Sequence, residues 1–565
     1  MMREKIAGYV KDVISKMAEK KALDASLLPS VLVEKPKTPE YGDYSSNVAF
    51  VLASSFGMKP YELAHTLAKE LSARQEFKKV EVAGGGFINF FLKKELIFDI
   101  LGEIIAKGDS YGNLDIGKGK KLQVEFVSAN PTGPLHVGHG RNAVFGDALA
   151  RLLKKAGYEV VKEYYLNDAG NQMRTLGKSV YLRMLELSGS IVDFPADCYQ
   201  GHYIVDIARE ILLSKEHHKL DGLSEGEIID WCGRYAGEKI LGEIKDDLAK
   251  CGIVFDSYYS EKSLYKSGAV QHTIDLLRKK GFVYEADGAL WFKSTEFGDE
   301  KDRVLVKSSG EYTYFASDIA YHVNKFERGF TRVIDIWGAD HAGHVTRIKG
   351  AMKALGYNPD NIDIILIQLV NLIRGGEVVS MSTRRATYET FGQLLDDVGK
   401  DACRYFYLSR SCNAQLDFDI ELAKREGPEN PAYYIQYAHA RISSIFKKAS
   451  EQGIIFNPNQ VDLRYLSLEE EYGMARLLAE YPNVIHDAAC KLEPHKVSFY
   501  LLELARMFQN YYTKAKTSKE YMVLYGEEGR VQAKLYLLKS IQIVLKNGLE
   551  LLGIDAPERM ERGEE

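Results

Sequence analysis

Two histidines three residues apart, His136 and His139, stand where a predicted strand turns into a predicted helix. The strand prediction covers 121–127, where apolar and polar residues alternate and β-branched and aromatic residues are frequent. The helix prediction covers 141–155, where apolar residues recur at helical spacing. The segment between them is rich in proline and glycine, so it is predicted to form a tight turn.

This arrangement favours an anion-binding site. The free backbone N–H groups and the dipole of a helix N-terminus attract anions, and two imidazoles at that end add hydrogen-bond donors. Gly138 has no side chain, so a flat ring or a phosphate can approach the backbone there. We therefore expect the pair to hold phosphate oxygens of a nucleotide as charge builds up in a transition state. The alternative is that one histidine caps the helix and the other is a surface group.

Two segments downstream carry groups suited to the same nucleotide. Residues 337–341 are predicted to end a strand and open a helix at the carboxyl edge of a sheet, where Gly338 permits close backbone approach and His341 can reach a ribose or phosphate. Residues 378–385 are predicted to form a short strand and a polar loop, whose hydroxyl groups and two arginines suit departing pyrophosphate. Taken alone, this second segment is more typical of a solvated basic turn.

The elements that position these residues fall into three predicted regions. Residues 1–112 are predicted to form an α+β domain, in which the glycines at 84–86 make a hairpin turn, since no Lys-Ser/Thr pair follows them. Residues 113–425 alternate strand and helix, which predicts a doubly wound, Rossmann-type parallel sheet (an α/β fold) with a helical insertion at about 185–300. Residues 426–565 have helical periodicity and are predicted to form an all-helical bundle.

Composition excludes several classes of protein. Hydrophobic residues make up 45% and charged residues 27%, as in ordinary globular proteins. The segment 1–21 is a charged amphipathic helix without the apolar core of a signal peptide, and no apolar run approaches membrane-spanning length, so a cytoplasmic location is expected. The six cysteines form no C-x-x-C pair, which indicates neither zinc nor a disulfide framework. A net charge of −5 argues against a general polyanion binder but leaves room for a local RNA-binding surface.

Longer strings of the sequence resemble the arginyl-tRNA synthetases, a family of class I aminoacyl-tRNA synthetases. His136-Val-Gly-His139 matches the class motif HIGH, and Ser380-Met-Ser-Thr-Arg384 stands where the motif KMSKS is expected. The longer strings are EFVSANPTGPLH (125–136), YYLNDAGNQ (164–172), WGADH (337–341), LDFD (416–419) and ENPAYYIQYAHAR (429–441). Strings near the two ends, YGDYSSN (41–47) and APERM (556–560), extend the resemblance over essentially the whole chain.

The resemblance implies an arginine–tRNA ligase, which uses ATP to attach L-arginine to tRNA(Arg) through arginyl-adenylate. It implies Mg²⁺ as a companion of ATP and no zinc. His136 and His139 would stabilise the transition state at the α-phosphate, and Gly138 would face adenine. The other nucleotide contacts implied are Gly338, His341 and Met381, and the residues implied to hold pyrophosphate are Ser382, Thr383 and Arg384.

The resemblance also implies a pocket for the arginine side chain, lined by Glu125, Asn130, Tyr314 and Asp318, with Asp340 nearby. A carboxylate accepts the forked donors of a guanidinium, a geometry that lysine cannot reproduce. Tyr314 and Asp318 are four residues apart and share a face if that stretch is helical. The alternative for Glu125 is a surface strand residue, and Asp318 taken alone is equally compatible with an unspecialised helix position.

The loop departs from the family motif. Ser380 replaces its first lysine and Thr383 its second, and Gly133 occupies the upstream position where some members carry a compensating lysine. Arg384 and Arg385 are the expected substitutes, and arginine activation would be slow if neither reaches the phosphates.

The outer domains acquire tRNA-binding roles by resemblance. The N-terminal domain would contact the corner of the tRNA near the D-loop, with Phe87 and Asn89 as candidates, and the C-terminal domain would bind the anticodon arm, with Tyr437 and Arg441 as candidates. The family implies a monomer that has no membrane partner and needs bound tRNA for activation. The alternatives are another class I synthetase and a catalytically weakened tRNA-binding paralogue.

Overall fold

The computed structural model describes residues 1–23, 29–36, 38–379 and 390–560. The loop predicted to hold pyrophosphate lies outside these residues. The predictions for Met381, Ser382, Thr383 and Arg384 therefore remain predictions.

The N-terminal domain is a small antiparallel sheet covered by helices. Its helices are α1 (Met2–Lys20), α2 (Val48–Phe56), α3 (Pro60–Leu71) and α4 (Lys94–Lys107), and its strands are β1 (Tyr44–Ser46), β2 (Phe77–Ala83) and β3 (Phe87–Leu92). The strand order is β1-β3-β2, and β2 and β3 form a hairpin. The predicted glycine turn is confirmed, and Gly86 has a φ of 144°, a conformation that favours glycine.

The catalytic region is built on a five-stranded parallel sheet. In chain order its first part contains β4 (Lys121–Glu125), α5 (Val137–Lys155), β5 (Glu159–Leu166), α6 (Asn171–Leu187), α7 (His202–Leu213), α8 (Glu225–Lys250), β6 (Ser257–Ser260), α9 (Glu261–Lys266) and α10 (Ala269–Lys279). Its second part contains β7 (Val283–Ala286), β8 (Ala289–Phe292), β9 (Arg303–Val306), α11 (Tyr314–Glu327), β10 (Arg332–Gly338), α12 (Ala342–Leu355) and β11 (Ile362–Ile367). The strand order is β11-β10-β4-β5-β6, so the chain adds β5 and β6 on one side of β4 and later adds β10 and β11 on its other side. In such sheets this change of side creates the crevice where ligands bind.

The expected helical insertion is only partly helical. Between 185 and 300 it is helical in α7, α8, α9 and α10, but between α8 and α9 Ser257–Ser260 forms an edge strand of the main sheet, parallel to β5. Farther along the chain, β7, β8 and β9 form a separate antiparallel sheet. The edge strand escaped prediction because a run of four residues is too short to show a period of two.

The rest of the chain joins the catalytic region to a helical bundle. It contains β12 (Val370–Arg374), β13 (Glu377–Val378), α13 (Phe391–Val398), α14 (Lys400–Tyr407), β14 (Leu416–Asp419) and α15 (Ile420–Lys424), followed by α16 (Pro431–Glu451), α17 (Glu469–Lys491), α18 (His495–Lys514) and α19 (Glu528–Leu552). The last four helices confirm the predicted bundle. None of the described helices is both long and apolar enough to cross a bilayer.

The N-terminal domain docks on α17 of the bundle through polar contacts. These contacts are Arg3 Nη2 with Asp487 Oδ1 at 2.6 Å, Arg476 Nη1 with Asp43 Oδ1 at 3.3 Å, and the Tyr44 hydroxyl with the Glu480 carboxylate. Two of the residues, Asp43 and Tyr44, belong to the string at 41–47. One apolar cluster extends from Ile6 to Ile554, so the domains share a core.

A buried arginine joins α5 to the ends of two other helices. Arg404 donates to Asp147 Oδ2 at 2.7 Å, to the Leu552 carbonyl at the end of α19 at 2.7 Å, and to the Cys251 carbonyl that follows α8 at 3.0 Å. Gly553 leaves the space for it, because a Cβ there would stand 2.3 Å from the guanidinium carbon. The helix that begins with the histidine pair is thereby fixed to the C-terminal bundle.

Candidate functional site

His136 and His139 form a stacked pair at the N-terminus of α5. His136 is the N-cap, and its Nδ1 accepts the backbone N–H groups of Gly138 at 3.1 Å and His139 at 3.3 Å. His139 Nδ1 accepts the His136 N–H at 3.3 Å, and the ring centroids lie 3.6 Å apart. Because both Nδ1 atoms accept hydrogen bonds, the neutral rings carry their protons on Nε2.

The environment keeps both rings neutral at physiological pH. Burial lowers the pKa of His136, and burial together with the neighbouring His136 ring lowers the pKa of His139 to about 3. A neutral imidazole with its proton on Nε2 is a hydrogen-bond donor that costs no proton uptake. The pair therefore combines both readings of the sequence, since one side of each ring serves the helix terminus and the other is a donor suited to a phosphate oxygen.

Substitution of Gly138 by alanine is expected to lower the arginine activation that the resemblance implies about tenfold, without destabilising the protein. A Cβ at this position would lie 3.0 Å from Cε1 and 3.1 Å from Nδ1 of His136, so the ring must shift. A misplaced hydrogen-bond donor lowers the reaction rate. Replacement of glycine by alanine in a helix, by itself, stabilises the helix by about 0.5–1 kcal/mol. Arginine-dependent ATP–pyrophosphate exchange and thermal unfolding would be compared. Unchanged exchange in the variant would contradict a role for the ring position.

A strained turn follows β4. Val127 has a φ of 66° and Ser128 a φ of 40°, both in the left-handed region, which is unusual for a β-branched residue. Asn142 on α5 stabilises the turn, because its Oδ1 accepts the Val127 N–H at 2.7 Å and its Nδ2 donates to the Ile336 carbonyl at 2.9 Å. The turn directs the Ser128 hydroxyl to Glu125 Oε1 at 2.9 Å. Strain of this kind concentrates at functional sites.

Three carboxylates, from Glu125, Asp318 and Glu261, are concentrated beside this turn. Burial raises the pKa of Asp318 to about 7, with further contributions from Glu261 and Glu125. Burial also raises the pKa of Glu261, whose side chain is 1% exposed. Glu261 Oε1 accepts hydrogen bonds from Ser317 and Tyr265, but its Oε2 is buried without a hydrogen-bond partner among the described residues.

This cluster has more buried negative charge than local cations balance. The Lys325 ammonium and the His322 ring face it, and both also bind a fourth carboxylate, Asp335. Buried carboxylates are costly unless they are paired with a cation. The arrangement is therefore suited to a cationic ligand with several donors, such as a guanidinium.

Glu261 was not among the sequence-predicted residues. It is the first residue of α9, where an acidic residue is ordinarily explained by the helix dipole. Its burial depends on contacts with α11, which no local pattern indicates. To identify Glu261 from the sequence, one would have to know that α9 packs against α11.

Asn130 and Tyr314 belong to the more exposed surroundings of the cluster. Asn130 Nδ2 donates to Gln172 Oε1 at 2.6 Å, which joins the turn after β4 to α6. Tyr314 is 57% exposed, and its hydroxyl lies 3.6 Å from the place that a Cβ on Gly170 would occupy. Tyr314 and Asp318 do share the helix α11, as their spacing predicted.

Gly338, Asp340 and His341 lie at the carboxyl end of β10. Gly338 ends the strand, and a Cβ there would lie 2.4 Å from Asp340 Oδ1, so a larger residue would displace the Asp340 side chain. The Asp340 side chain is 81% exposed and lies 3.5 Å from His341 Nε2. The structure therefore places Asp340 outside the buried carboxylate cluster, whereas Gly338 and His341 stay at the sheet edge predicted for the nucleotide.

The residues predicted to contact tRNA differ in exposure. Phe87 is 47% exposed and packs edge-on against Phe50, so it is available at the surface. Asn89 is buried, and its Oδ1 accepts the Ser45 hydroxyl at 2.8 Å. The Asn89 side chain is therefore engaged inside the sheet and does not lie at the surface.

On the C-terminal bundle, the predicted pair is already engaged within the protein. Arg441 stacks between Tyr437, at 4.5 Å from the ring centroid, and Tyr512, at 4.7 Å. Its Nη2 also donates to the Tyr437 hydroxyl at 3.1 Å. Both side chains are half-buried, which leaves one edge of this aromatic and basic group accessible.

Within the described part of the chain, histidine, cysteine, aspartate and glutamate side chains form no group of three or more that could hold a metal ion.

Comparisons with known proteins agree with this arrangement along the whole chain. Residues 4–92 match the family model "Arginyl tRNA synthetase N terminal domain", 101–407 match "tRNA synthetases class I (R), catalytic domain" and 435–560 match "DALR anticodon binding domain". The chain is 48% identical over 561 residues to an arginine–tRNA ligase of Syntrophotalea carbinolica, covering 99% of this chain and 100% of the relative. It is 49% identical over 564 residues to that of Desulfosudis oleivorans, with the same coverage. The Thermus thermophilus arginyl-tRNA synthetase shares the fold, with a TM-score of 0.75 at 24% identity over 99% of this chain and 100% of that one.

Proposed function

The chain belongs to the arginyl-tRNA synthetase family, and from that premise we infer that it is an arginine–tRNA ligase, which attaches L-arginine to tRNA(Arg) at the expense of ATP. The full-length similarity to arginine–tRNA ligases carries this assignment. The surplus of buried carboxylates supports it, because arginine supplies the cation with several donors that such a pocket requires.

The first step joins arginine to AMP. The arginine carboxylate attacks the α-phosphate of ATP, the bond between the α-phosphorus and its bridging oxygen breaks, and pyrophosphate leaves. His136 and His139 donate from Nε2 to the phosphate oxygens as negative charge builds up on them. No general base is needed, because the attacking carboxylate is already ionised and is held in line with the leaving group.

Arginine is selected by its guanidinium. Asp318 and Glu261 accept its N–H groups, Tyr314 and Asn130 bound the entrance, and Glu125 contributes negative charge at the end of β4. A lysine ammonium would satisfy fewer of these acceptors and leave buried oxygens unpaired, which is a strong basis for rejection.

Arginine binding is expected to weaken as the pH falls from about 8 to about 6. The guanidinium stays protonated throughout this range, whereas Asp318, with a pKa of about 7, takes up a proton. Its ionised fraction falls from about nine-tenths to about one-tenth, so the KM for arginine should rise about tenfold. ATP–pyrophosphate exchange at saturating ATP, with tRNA present, measures this KM. A KM that stays constant or falls on acidification would contradict the assignment of Asp318.

The second step transfers the arginyl group to the 3′ end of tRNA(Arg). We propose that Phe87 contacts the tRNA corner and that Tyr437 and Arg441 contact the anticodon arm, where an aromatic and a basic group suit stacking and phosphate binding. The enzyme is proposed to act as a cytoplasmic monomer without a membrane partner. Mg²⁺ is proposed to arrive with ATP, as is usual for nucleotide substrates.

ATP–pyrophosphate exchange with each amino acid, with and without tRNA(Arg), tests the proposal. We expect exchange with arginine and tRNA together and with no other amino acid. Exchange with a different amino acid would assign another specificity. No exchange, while tRNA still binds, would favour the catalytically weakened paralogue and would assign the defect to the departure at Ser380.

A further inference from the structure

A fully buried ammonium group lies beneath the proposed arginine site. Lys325 Nζ lies 2.6 Å from Glu125 Oε2 and 2.6 Å from Asp335 Oδ1, and the side chain is 0% exposed. Glu125 and Asp335 are direct neighbours in the register of the parallel strands β4 and β10. The ammonium thus separates two carboxylates that the sheet itself brings together.

Asp335 has a second partner, whereas Lys325 is the one ion-pair partner of Glu125 among the described residues. His322 Nε2 lies 2.8 Å from Asp335 Oδ2, and its Nδ1 lies 2.7 Å from the Asp318 carbonyl. In the part of the chain that the structure describes, the Glu125 carboxylate accepts hydrogen bonds from Lys325 Nζ and from the neutral Ser128 hydroxyl. Loss of the Lys325 charge would therefore affect Glu125 more than Asp335.

The balance at Glu125 is delicate. Burial raises the pKa of Glu125, the Lys325 charge lowers it, and the Asp335 charge raises it again. The overall effect is a pKa above the ordinary value of a glutamate. The two carboxylates in turn raise the pKa of Lys325 against the effect of its burial, so the ammonium stays charged. The titratable or charged groups that face Glu125 are Lys325, Asp335 and His322, together with Asp318, Tyr165 and Tyr321.

We propose that Lys325 is a positioning residue for arginine selection, which keeps Glu125 ionised and oriented at the end of β4 so that this carboxylate can receive a cationic group of the substrate. The proposal rests on the proposed function, since it takes Glu125 as part of the arginine site. It assigns Lys325 no contact with substrate. Lys325 lies on α11 together with Tyr314 and Asp318, so the helix that supplies the pocket also supplies the cation beneath it.

Replacement of Lys325 by methionine tests the proposal, because methionine keeps the length of the chain and removes the charge. At pH 7 we expect the KM for arginine to rise about 30-fold or more, since truncation of one partner of a buried charge pair is costly, and the KM for ATP to change less than about threefold. The defect should shrink as the pH rises towards 8.5, because removal of the Lys325 charge raises the pKa of Glu125 further and a higher pH favours its ionised form. Over the same range the KM of the unmodified enzyme should fall only about twofold, through the remaining ionisation of Asp318.

Two further variants separate positioning from general support of the fold. Lys325→Met combined with Asp335→Asn removes one charge of each sign, so Glu125 loses both its cation and its repelling neighbour, and arginine binding should recover about tenfold relative to Lys325→Met. Arg328→Met is the matched control, since Arg328 pairs with Glu163 of β5 at 2.6 Å near the same helix end. It should lower the unfolding temperature and leave the KM for arginine unchanged.

The outcomes distinguish a role of Lys325 in positioning Glu125 from a role in supporting the fold. An equal loss of arginine and ATP binding at every pH, or no recovery in the double variant, would overturn the proposal and leave Lys325 as a structural cation. If Lys325→Met does not fold, the double variant, which conserves the net charge of the buried cluster, carries the test through its KM for arginine. Absence of arginine-dependent exchange in the unmodified enzyme would overturn the proposed function instead.

Discussion

Replacement of His136 by alanine is expected to lower the rate of arginine activation about 10²–10³-fold, because one preorganised donor to the developing charge on the α-phosphate is lost. The same change removes the N-cap of α5 and should cost about 1 kcal/mol of stability. Single-turnover formation of arginyl-adenylate, measured with saturating arginine and ATP in the presence of tRNA, isolates the chemical step. Thermal unfolding measures the second effect separately.

Glutamine and asparagine at position 136 divide the two roles of the ring. Glutamine places an amide N–H near the position of Nε2, whereas asparagine places an amide oxygen near the position of Nδ1. The phosphate role predicts that glutamine retains more activation and that asparagine retains more stability. If asparagine were the more active of the two, the contribution of His136 would lie in capping α5.

Replacement of Asp318 by asparagine is expected to lower kcat/KM for arginine about 30- to 1,000-fold. The amide keeps the size of the side chain but offers one acceptor and one donor to a guanidinium that needs acceptors only, and such losses at buried charged pairs amount to about 2–4 kcal/mol. Most of the effect should appear in KM for arginine, measured by pyrophosphate exchange. The KM for ATP should be nearly constant.

Although Asp318→Asn is expected to lower activity, it should not lower the stability of the protein. The pKa of Asp318 is raised to about 7, so its contribution to stability is present at acidic pH and is lost as the pH rises through 7. Asparagine removes the cost of burying an ionised carboxylate above pH 7, so the variant should unfold at the same or a higher temperature at pH 8. Glu327→Gln, a carboxylate-to-amide change on an exposed position of the same helix, is the control. Equal losses in the two variants would contradict a specific role for Asp318.

The sequence predicted those parts of the site that depend on neighbours in the chain. Proline and glycine around His136 indicated the turn, and the periodicity after it indicated α5, because each depends on local backbone preferences. The four-residue spacing of Tyr314 and Asp318 placed them on one helix for the same reason. The order of strands and helices was sufficient for the fold class.

The parts that could not be predicted depend on contacts between distant segments. Lys325 and Asp335 read as ordinary residues of a helix and a strand until the register of β4 and β10 brings Glu125 beside them. Glu261 reads as a helix-starting acid until α11 buries it. A carboxylate gains an unusual protonation behaviour only through tertiary burial, which single-sequence patterns do not contain.

The ion pair between Arg3 and Asp487 has a consequence for biosynthesis. The two residues are 484 positions apart, so at about 5–20 residues per second the first helix leaves the ribosome roughly 25–100 s before its partner is made. Helices α1 and α4 acquire their final neighbours in α17 and α19 only when translation is nearly complete. The domain that emerges first thus stays partly open until the end of translation, and its apolar faces need protection from aggregation during that interval.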